Sequence, residues 1–321
     1  MVQIKKILDS IQLALKTVNV PKLGQKYSGK VRDFYLLGDK RVIITTDRLS
    51  AFDRVLGCFP FKGQALNLLS QFWFEKTSDI IQNHMLSVPD PNVMVVKNCQ
   101  LIPIEMVVRG YITGVTNTSI WGSYETGERT IYGIKFPDGL RKNQKLPQPV
   151  ITPTTKAEAG HDERLTEKEI LEKKIVSPLI WKQMKKAALD LFEKGQRICS
   201  KAGIILVDTK YEFGLLDGRL ILIDEIHTPD SSRYWVKDSY LERFKKGQEP
   251  ENFDKEFLRI WYAKRGYKGD GKLPKMPAEF MAQVSKRYIL IYEKITGKKF
   301  KAFDYPIDKR IKDNLEYLYA K

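Results

Sequence analysis

The chain has 321 residues, 42% hydrophobic and 29% charged, the balance of a folded globular protein rather than a disordered or fibrous one. At roughly 150 residues per domain that length suggests about two packed units. Lysine and arginine outnumber aspartate and glutamate by 55 to 39, a formal charge of +16, so anionic partners are expected, although charge alone does not say which.

Ile4, Ile7, Leu8, Ile11, Leu15 and Val18 recur at helical spacing, predicting a packed N-terminal helix rather than a signal peptide, because Lys and Asp interrupt the apolar run. A glycine-containing connection over 21–30 leads to strands at 31–37 and 41–46, joined by the turn Leu37-Gly38-Asp39-Lys40. Leu66, Leu69, Phe72, Trp73 and Phe74 mark a helix within 64–81, followed by short apolar strands at 93–97 and 104–109. Residues 110–155 are rich in Gly, Pro, Thr and Asn, with only brief strand patterns, and read as binding loops. A long helix is predicted over 166–202, with Gly203 as its stop. Strands at 204–213 and 220–226 flank the loop 214–218, and the remainder is helical at 241–245, 253–265 and 278–295 before a lysine-rich tail. The three cysteines, Cys58, Cys99 and Cys199, lie far apart, which argues against a disulfide framework or structural zinc and fits a reducing cytoplasm. No run approaches the roughly 20 apolar residues that span a bilayer, so no membrane partner is expected.

Candidate chemistry concentrates in four places. Gly24 to Lys30 has P-loop spacing but continues with Val31 where a Ser or Thr should hold magnesium, and a strand pattern follows instead of a helix. Gly29, Lys30 and Arg32 still suit phosphates; a turn with two solvated cations is the other reading. Thr46-Asp47-Arg48-Leu49-Ser50-Ala51-Phe52-Asp53 places polar groups at the end of an apolar strand, where either a site or an ordinary polar turn is expected. In Val207-Asp208-Thr209-Lys210-Tyr211-Glu212-Phe213-Gly214 the period of two puts Asp208, Lys210 and Glu212 on one face, and the next strand ends in Asp224 and Glu225. Those acids around one lysine, on otherwise apolar strands, need a cation, and Mg²⁺ is the natural one because it takes one or two carboxylates and completes its shell with water and phosphates. Hairpin register does not follow from sequence, so which of Asp224 and Glu225 faces Glu212 stays open. The loop 153–163 gathers hydroxyls, Lys156, His161 and Asp162; one His-Asp pair without partner histidines reads as local hydrogen bonding, not a metal site.

Taken in order, Gly29-Lys30-Val31-Arg32-Asp33, Asp47-Arg48-Leu49-Ser50-Ala51-Phe52-Asp53, Lys62-Gly63, Val107-Val108-Arg109-Gly110-Tyr111-Ile112-Thr113-Gly114, Thr152-Pro153-Thr154-Thr155-Lys156, the Val207–Gly214 run and Asp224-Glu225-Ile226-His227-Thr228-Pro229-Asp230-Ser231-Ser232-Arg233 resemble the SAICAR synthetase family of purine biosynthesis. The resemblance runs from about residue 24 to 236 and implies an α+β fold, with a nucleotide-covering antiparallel-sheet subdomain at 1–108, similar to the kinase and ATP-grasp lobes. A larger substrate- and Mg²⁺-binding part with C-terminal helices is expected at 109–321. It implies ATP-driven joining of carboxyaminoimidazole ribotide to L-aspartate, giving ADP and phosphate. By the same resemblance, Gly29, Lys30 and Arg32 would cover the phosphates and Lys156 would reach the transferred phosphoryl group. Glu212 and Asp224 would ligate Mg²⁺, with Asp208 and Lys210 supporting that face. Arg109 and Arg233 would hold the ribotide, and Ser50, Asp53 and Asp230 would lie near the substrates. Where the family commonly has Ser after Thr-Gly, this chain has Val115, so Thr116, Thr118 or Ser119 is the expected source of that hydroxyl. A kinase-like phosphotransferase is disfavoured because no His-Arg-Asp loop or Asp-Phe-Gly occurs. A nucleic-acid partner is disfavoured because finger, RRM-type and basic-zipper signatures are missing.

Overall fold

The computed structural model describes residues 2–52, 54–115, 119–156, 163–253, 255–267, 269 and 271–320. In chain order the elements are α1 (Ile4–Asp9), β1 (Lys26–Ser28), β2 (Arg32–Leu37), β3 (Lys40–Thr45), β4 (Arg48–Ala51), β5 (Arg54–Cys58), α2 (Lys62–Lys76), β6 (Met85–Asp90), β7 (Val93–Lys97) and β8 (Gln100–Ile112). There follow α3 (Ile120–Glu125), β9 (Thr130–Ile131), β10 (Ile134–Lys135), β11 (Gln144–Thr155), α4 (Glu167–Glu172), α5 (Pro178–Lys201), β12 (Ile204–Leu216), β13 (Arg219–Ile223), β14 (Ser232–Val236), α6 (Lys237–Lys245), α7 (Glu256–Ala263), α8 (Ala278–Thr296) and α9 (Asp308–Asn314). Two antiparallel sheets organise the chain, one ordered β1-β2-β3-β7-β6 and the other β11-β8-β12-β13, with β14 also paired to β12. This is the α+β architecture expected. The chain passes from one sheet to the other between Lys97 and Gln100, and residue 108 lies within β8. Among the described residues no helix is long and apolar enough to cross a membrane.

Strand alternation gives each sheet two different faces. In the first sheet Tyr35, Val42, Ile44, Val93 and Val95 form an outer face, covered by Leu15, Val18, Val20 and Leu23 from the N-terminal segment and by Ile307, Ile311 and Leu315 from the C-terminal one. Full burial of such side chains is worth about 1.5–3 kcal/mol each, so both chain ends clamp this sheet. In the second sheet Ile104, Met106 and Val108 of β8 and Leu206, Tyr211 and Phe213 of β12 pack with Met184, Ala188, Leu191 and Phe192 of α5. The opposite face of β8 and β12 is left polar and forms the wall of the site.

Several expectations are corrected by the packing. The N-terminal helix stops at Asp9, and beyond the short turn Ile11–Leu13 the backbone of Leu15 is instead bonded through both N and O to Asp47. The region read as loops, 110–155, contains the twelve-residue strand β11; Pro147, Pro149 and Pro153 hide it from a pattern reading, yet β11 is an edge strand, where missing donors are tolerated. The single helix expected over 166–202 is two helices. Thr166 and Glu169 form a capping box on α4, and Ser177 caps α5 with Pro178 in its first turn, start signals that the apolar period overrode. Strand β13 ends at Ile223, not 226, because Asp224 turns into the left-handed region at φ 65. The lysine-rich tail contains α9, whose apolar stripe closes the outer face of the first sheet.

Candidate active site

Register on β12 assembles the polar wall. Glu212 lies opposite Glu105, Lys210 opposite Val107 and Asp208 opposite Arg109 across β8; on the other edge Asp208 faces Arg233 of β14 and Glu212 faces Ile223 of β13. Two carboxylates directly opposite repel unless a cation joins them. Lys210 does so, with Nζ 2.6 Å from Glu105 and 2.5 Å from Glu212. Lys156, delivered by the end of β11, donates to the other oxygen of Glu212. Glu212 is only 3% exposed and Asp208 4%, so this acidic edge is not a wetted surface.

Arg32 reaches across from β2 to the second sheet. Its guanidinium donates to Asp224 and lies 2.6 Å from Glu225, an ion-pair bridge between the two sheets. Burial pushes the Asp224 carboxyl up, but Arg32, Lys210 and Lys156 outweigh it and hold it below the usual carboxylate range. Lys210 is likewise penalised by burial yet held well above its ordinary value by Glu212, Asp224 and Glu105. Three cations, Arg32, Lys156 and Lys210, thus meet four carboxylates, Glu105, Glu212, Asp224 and Glu225, leaving a net negative charge in this cluster.

A cavity of about 160 Å³ lies between the sheets, with Ile43, Val96, Leu101 and Ile223 as apolar walls and Arg41, Lys97, Lys156, Glu212 and Asp224 as its charged lining. His84 also lines it; burial lowers its imidazole to about 3, so the ring is neutral there. A second cleft, about 390 Å³, is lined by Lys30, Ser50, Phe52, Lys210, Asp230 and Lys255, together with Glu225 and Arg259. Lys62, fully buried at the start of α2, lies 2.8 Å from Asp230, and Lys255 lies 3.6 Å from the same oxygen, while Tyr288 donates to its partner oxygen at 2.7 Å. With Lys30, Lys210, Lys255 and Arg259 against Glu225 and Asp230 on its walls, the cleft suits an anion.

Next to this cleft Asp208 Oδ2 accepts from Arg233 at 2.6 Å and from Arg109 at 3.3 Å, and Thr152 accepts from Arg109 Nε at 2.9 Å. The two guanidinium groups are spaced by one buried carboxylate. Glu256 joins this cluster to Arg259, at 3.2 Å.

The expected site residues therefore divide. Asp208, Lys210, Glu212, Arg109 and Arg233 share one sheet face, Lys156 and Asp224 stand just beyond the ends of β11 and β13 beside it, and Arg32 joins them from the other sheet. Lys30, Ser50 and Asp230 line the second cleft. Gly29 sits in the exposed β1–β2 turn, its N–H bonded to Arg32 O at 2.8 Å, with no helix following, as a P-loop would require. Asp53, Thr116, Thr118, His161 and Asp162 lie outside the described residues. Val115 is exposed, and Ser119 uses its hydroxyl to cap α3, accepting from Gly122 N at 3.0 Å. Sequence reasoning missed Glu105, whose alternation with Arg109 along one strand was the available signal. It also missed Lys255 and Arg259, which no local pattern marks.

Magnesium needs few protein ligands when phosphates supply the rest. Among the described residues no group of three His, Cys, Asp or Glu side chains forms an all-protein cage, whereas Glu212 and Asp224 line one cavity together. That donor set fits an ion carried in by a nucleotide. The profile of the family described as SAICAR synthetase matches residues 25–276.

The chain belongs to the SAICAR synthetase family. It is 52% identical over 300 residues to a phosphoribosylaminoimidazole-succinocarboxamide synthase of Legionella pneumophila (strain Lens), spanning 92% of this chain and 95% of that one. A chloroplastic synthase of Arabidopsis thaliana is 51% identical over 96% of this chain and 77% of its own. Among solved structures, SAICAR synthase from Saccharomyces cerevisiae complexed with SAICAR has a TM-score of 0.78 at 32% identity, covering 90% of this chain and 100% of that one. A SAICAR synthetase in complex with ADP has a TM-score of 0.66 at 25% identity, covering 86% and 100%. As a SAICAR synthetase the chain is an enzyme, a ligase of purine biosynthesis acting on small molecules.

Proposed function

We propose that the chain uses ATP to join carboxyaminoimidazole ribotide to L-aspartate through an acyl phosphate. The γ-phosphoryl group of ATP passes to a carboxylate oxygen of the ribotide and ADP leaves. The aspartate amine then attacks the carboxyl carbon, the bond to phosphate breaks, and the amine loses a proton as the amide forms. All three substrates are anions, so positioning and electrostatic stabilisation by cations carry most of the catalysis. The observation that carries the reading is the placing of two acids, Glu212 and Asp224, on a cavity between the sheets whose other walls are apolar side chains and cations, beside a second cleft that is basic.

On this reading residues 1–108 cover the nucleotide and 109–321 hold the other substrates. The base enters the cavity between Ile43, Val96, Leu101 and Ile223, and Glu212 and Asp224 hold the Mg²⁺ that, when bound, neutralises phosphate charge. Gly29 and Lys30 lie over the phosphates, Arg32 beside them, and Lys156 meets the transferred phosphoryl group while Lys210 fixes Glu212. Arg109 and Arg233, spaced by Asp208, take the ribotide phosphate. In the second cleft Lys255 and Arg259 receive the aspartate carboxylates, with Ser50 and Asp230 near its amine. The free thiols of Cys58, Cys99 and Cys199 suit a reducing compartment such as the cytoplasm.

The test is ADP release with each substrate omitted in turn. Release sustained over many turnovers only when ribotide and L-aspartate are both present supports the reading; sustained release indifferent to either one removes it.

A further inference from the structure

His227 follows the acidic edge by three residues and lines neither cavity, yet it is fully buried. Burial lowers its pKa to about 3, so the ring is neutral. Its Nε2 lies 2.5 Å from the Tyr211 hydroxyl, its carbonyl accepts from Tyr234, and its ring meets Trp73 edge-on at 4.6 Å. On α5 a Cβ at Gly195 would stand 2.4 Å from His227 Cε1 and 2.9 Å from Nδ1. A glycine there leaves the slot that the imidazole fills.

The backbone around it is in a conformation that side chains resist. Asp224 has φ 65 and His227 φ 49, and non-glycine residues persist in the left-handed region only where their surroundings over-determine them. Between and beyond them lie Glu225, which accepts from Thr228 at 2.7 Å, and Asp230, whose N–H bonds Thr228 Oγ1 at 3.3 Å. Tyr211 is the neighbour of Glu212 on β12, its side chain on the opposite face. One hydrogen bond behind the sheet therefore ties the strand carrying Glu212 to the turn carrying Asp224.

We propose that His227 is a positioning residue: slotted against Gly195 and bound to Tyr211, it sets the spacing of Asp224 from Glu212 and holds the turn that leads to Asp230. The inference rests on the reading of Glu212 and Asp224 as the magnesium-holding pair, and extends it to residues that touch neither nucleotide nor metal. Outer-shell partners of this kind carry about 10- to 100-fold in metal affinity or activity.

Tyr211→Phe removes the hydrogen bond and keeps the ring, Gly195→Ala fills the slot, and His227→Gln keeps a polar group within reach of Tyr211. The experiment measures half-saturating Mg²⁺, the KM for each of the three substrates and thermal unfolding in each. It also measures the gain in melting temperature that ADP with Mg²⁺ gives over ADP alone. Tyr211→Phe and Gly195→Ala are expected to raise half-saturating Mg²⁺ about tenfold and shrink that thermal gain, with ribotide KM unchanged and His227→Gln partly spared. Should Gly195→Ala not fold, Tyr211→Phe decides. A lower melting temperature with magnesium response and Michaelis constants as in wild type makes His227 a core residue only and overturns the proposal, as does a loss shared equally by all substrates. A wild-type enzyme without magnesium dependence instead removes the underlying reading.

Discussion

Asp47 offers a prediction whose sign and size follow from its surroundings. The side chain is fully buried and accepts from Gly63 N at 2.9 Å on one oxygen and from Leu15 N at 2.8 Å and Tyr305 Oη at 2.6 Å on the other. It joins the N-terminal segment, the start of α2 and the C-terminal segment. Burial pushes its carboxyl from 3.8 up to about 6, against the opposing pull of Tyr305, Gly63, Leu15 and Lys62. The native state thus holds this proton more tightly than the unfolded chain does. The stabilisation is complete below about pH 3.8, is lost as pH rises through about 6, and totals about 3 kcal/mol. Between about pH 5 and pH 7.5 the loss is about 1.4 kcal/mol. In Asp47→Asn that titration vanishes, and an amide nitrogen on the second oxygen's position leaves Leu15 N–H without its acceptor, costing about 1–3 kcal/mol. Urea unfolding of both proteins at these two pH values should show wild type exceeding the variant by about 1.4 kcal/mol more at the lower pH. Parallel stability curves would refute the argument.

Lys62→Met removes one partner of a buried pair, for which about 3–5 kcal/mol is typical; Lys255 and Tyr288 already contact Asp230, so a loss near the low end is expected in urea unfolding, and an unchanged midpoint would contradict it. Arg109→Ala should raise the KM for ribotide about 10- to 100-fold, the worth of a charged hydrogen bond, with KM for ATP nearly unmoved; steady-state kinetics decides, and an unaltered ribotide KM places this arginine elsewhere. Lys255→Met should raise the KM for L-aspartate about tenfold and leave the other two substrates alone. Equal effects on all three would remove Lys255 from the aspartate end of the cleft.

Strand periodicity made most of the polar wall readable. Asp208, Lys210 and Glu212 must share a face on any strand, and they do; what no pattern supplied was the register that sets Glu105 opposite Glu212 and the turn that follows Ile223. Arg32 was readable as a cation near phosphates, but its contacts with Asp224 and Glu225 depend on how two sheets face each other, which is tertiary information. Proline concealed β11, because its cost in a strand disappears at an edge. The N-terminal stripe had helical spacing, yet Leu15, Val18 and Val20 are needed along the outer face of a sheet, and that burial outweighs propensity. Lys255 and Arg259 reach the cleft from the start of α7, far along the chain, with neighbours that carry no motif.

The account depends most on Glu212 and Asp224 forming the seat of a nucleotide-borne divalent ion. Titrating ADP into wild type, Glu212→Gln and Asp224→Asn, each with and without Mg²⁺, tests it directly. Tighter ADP binding with Mg²⁺ in wild type, and loss of that enhancement in both variants with metal-free affinity retained, is the predicted result. The same enhancement in all three proteins would contradict it.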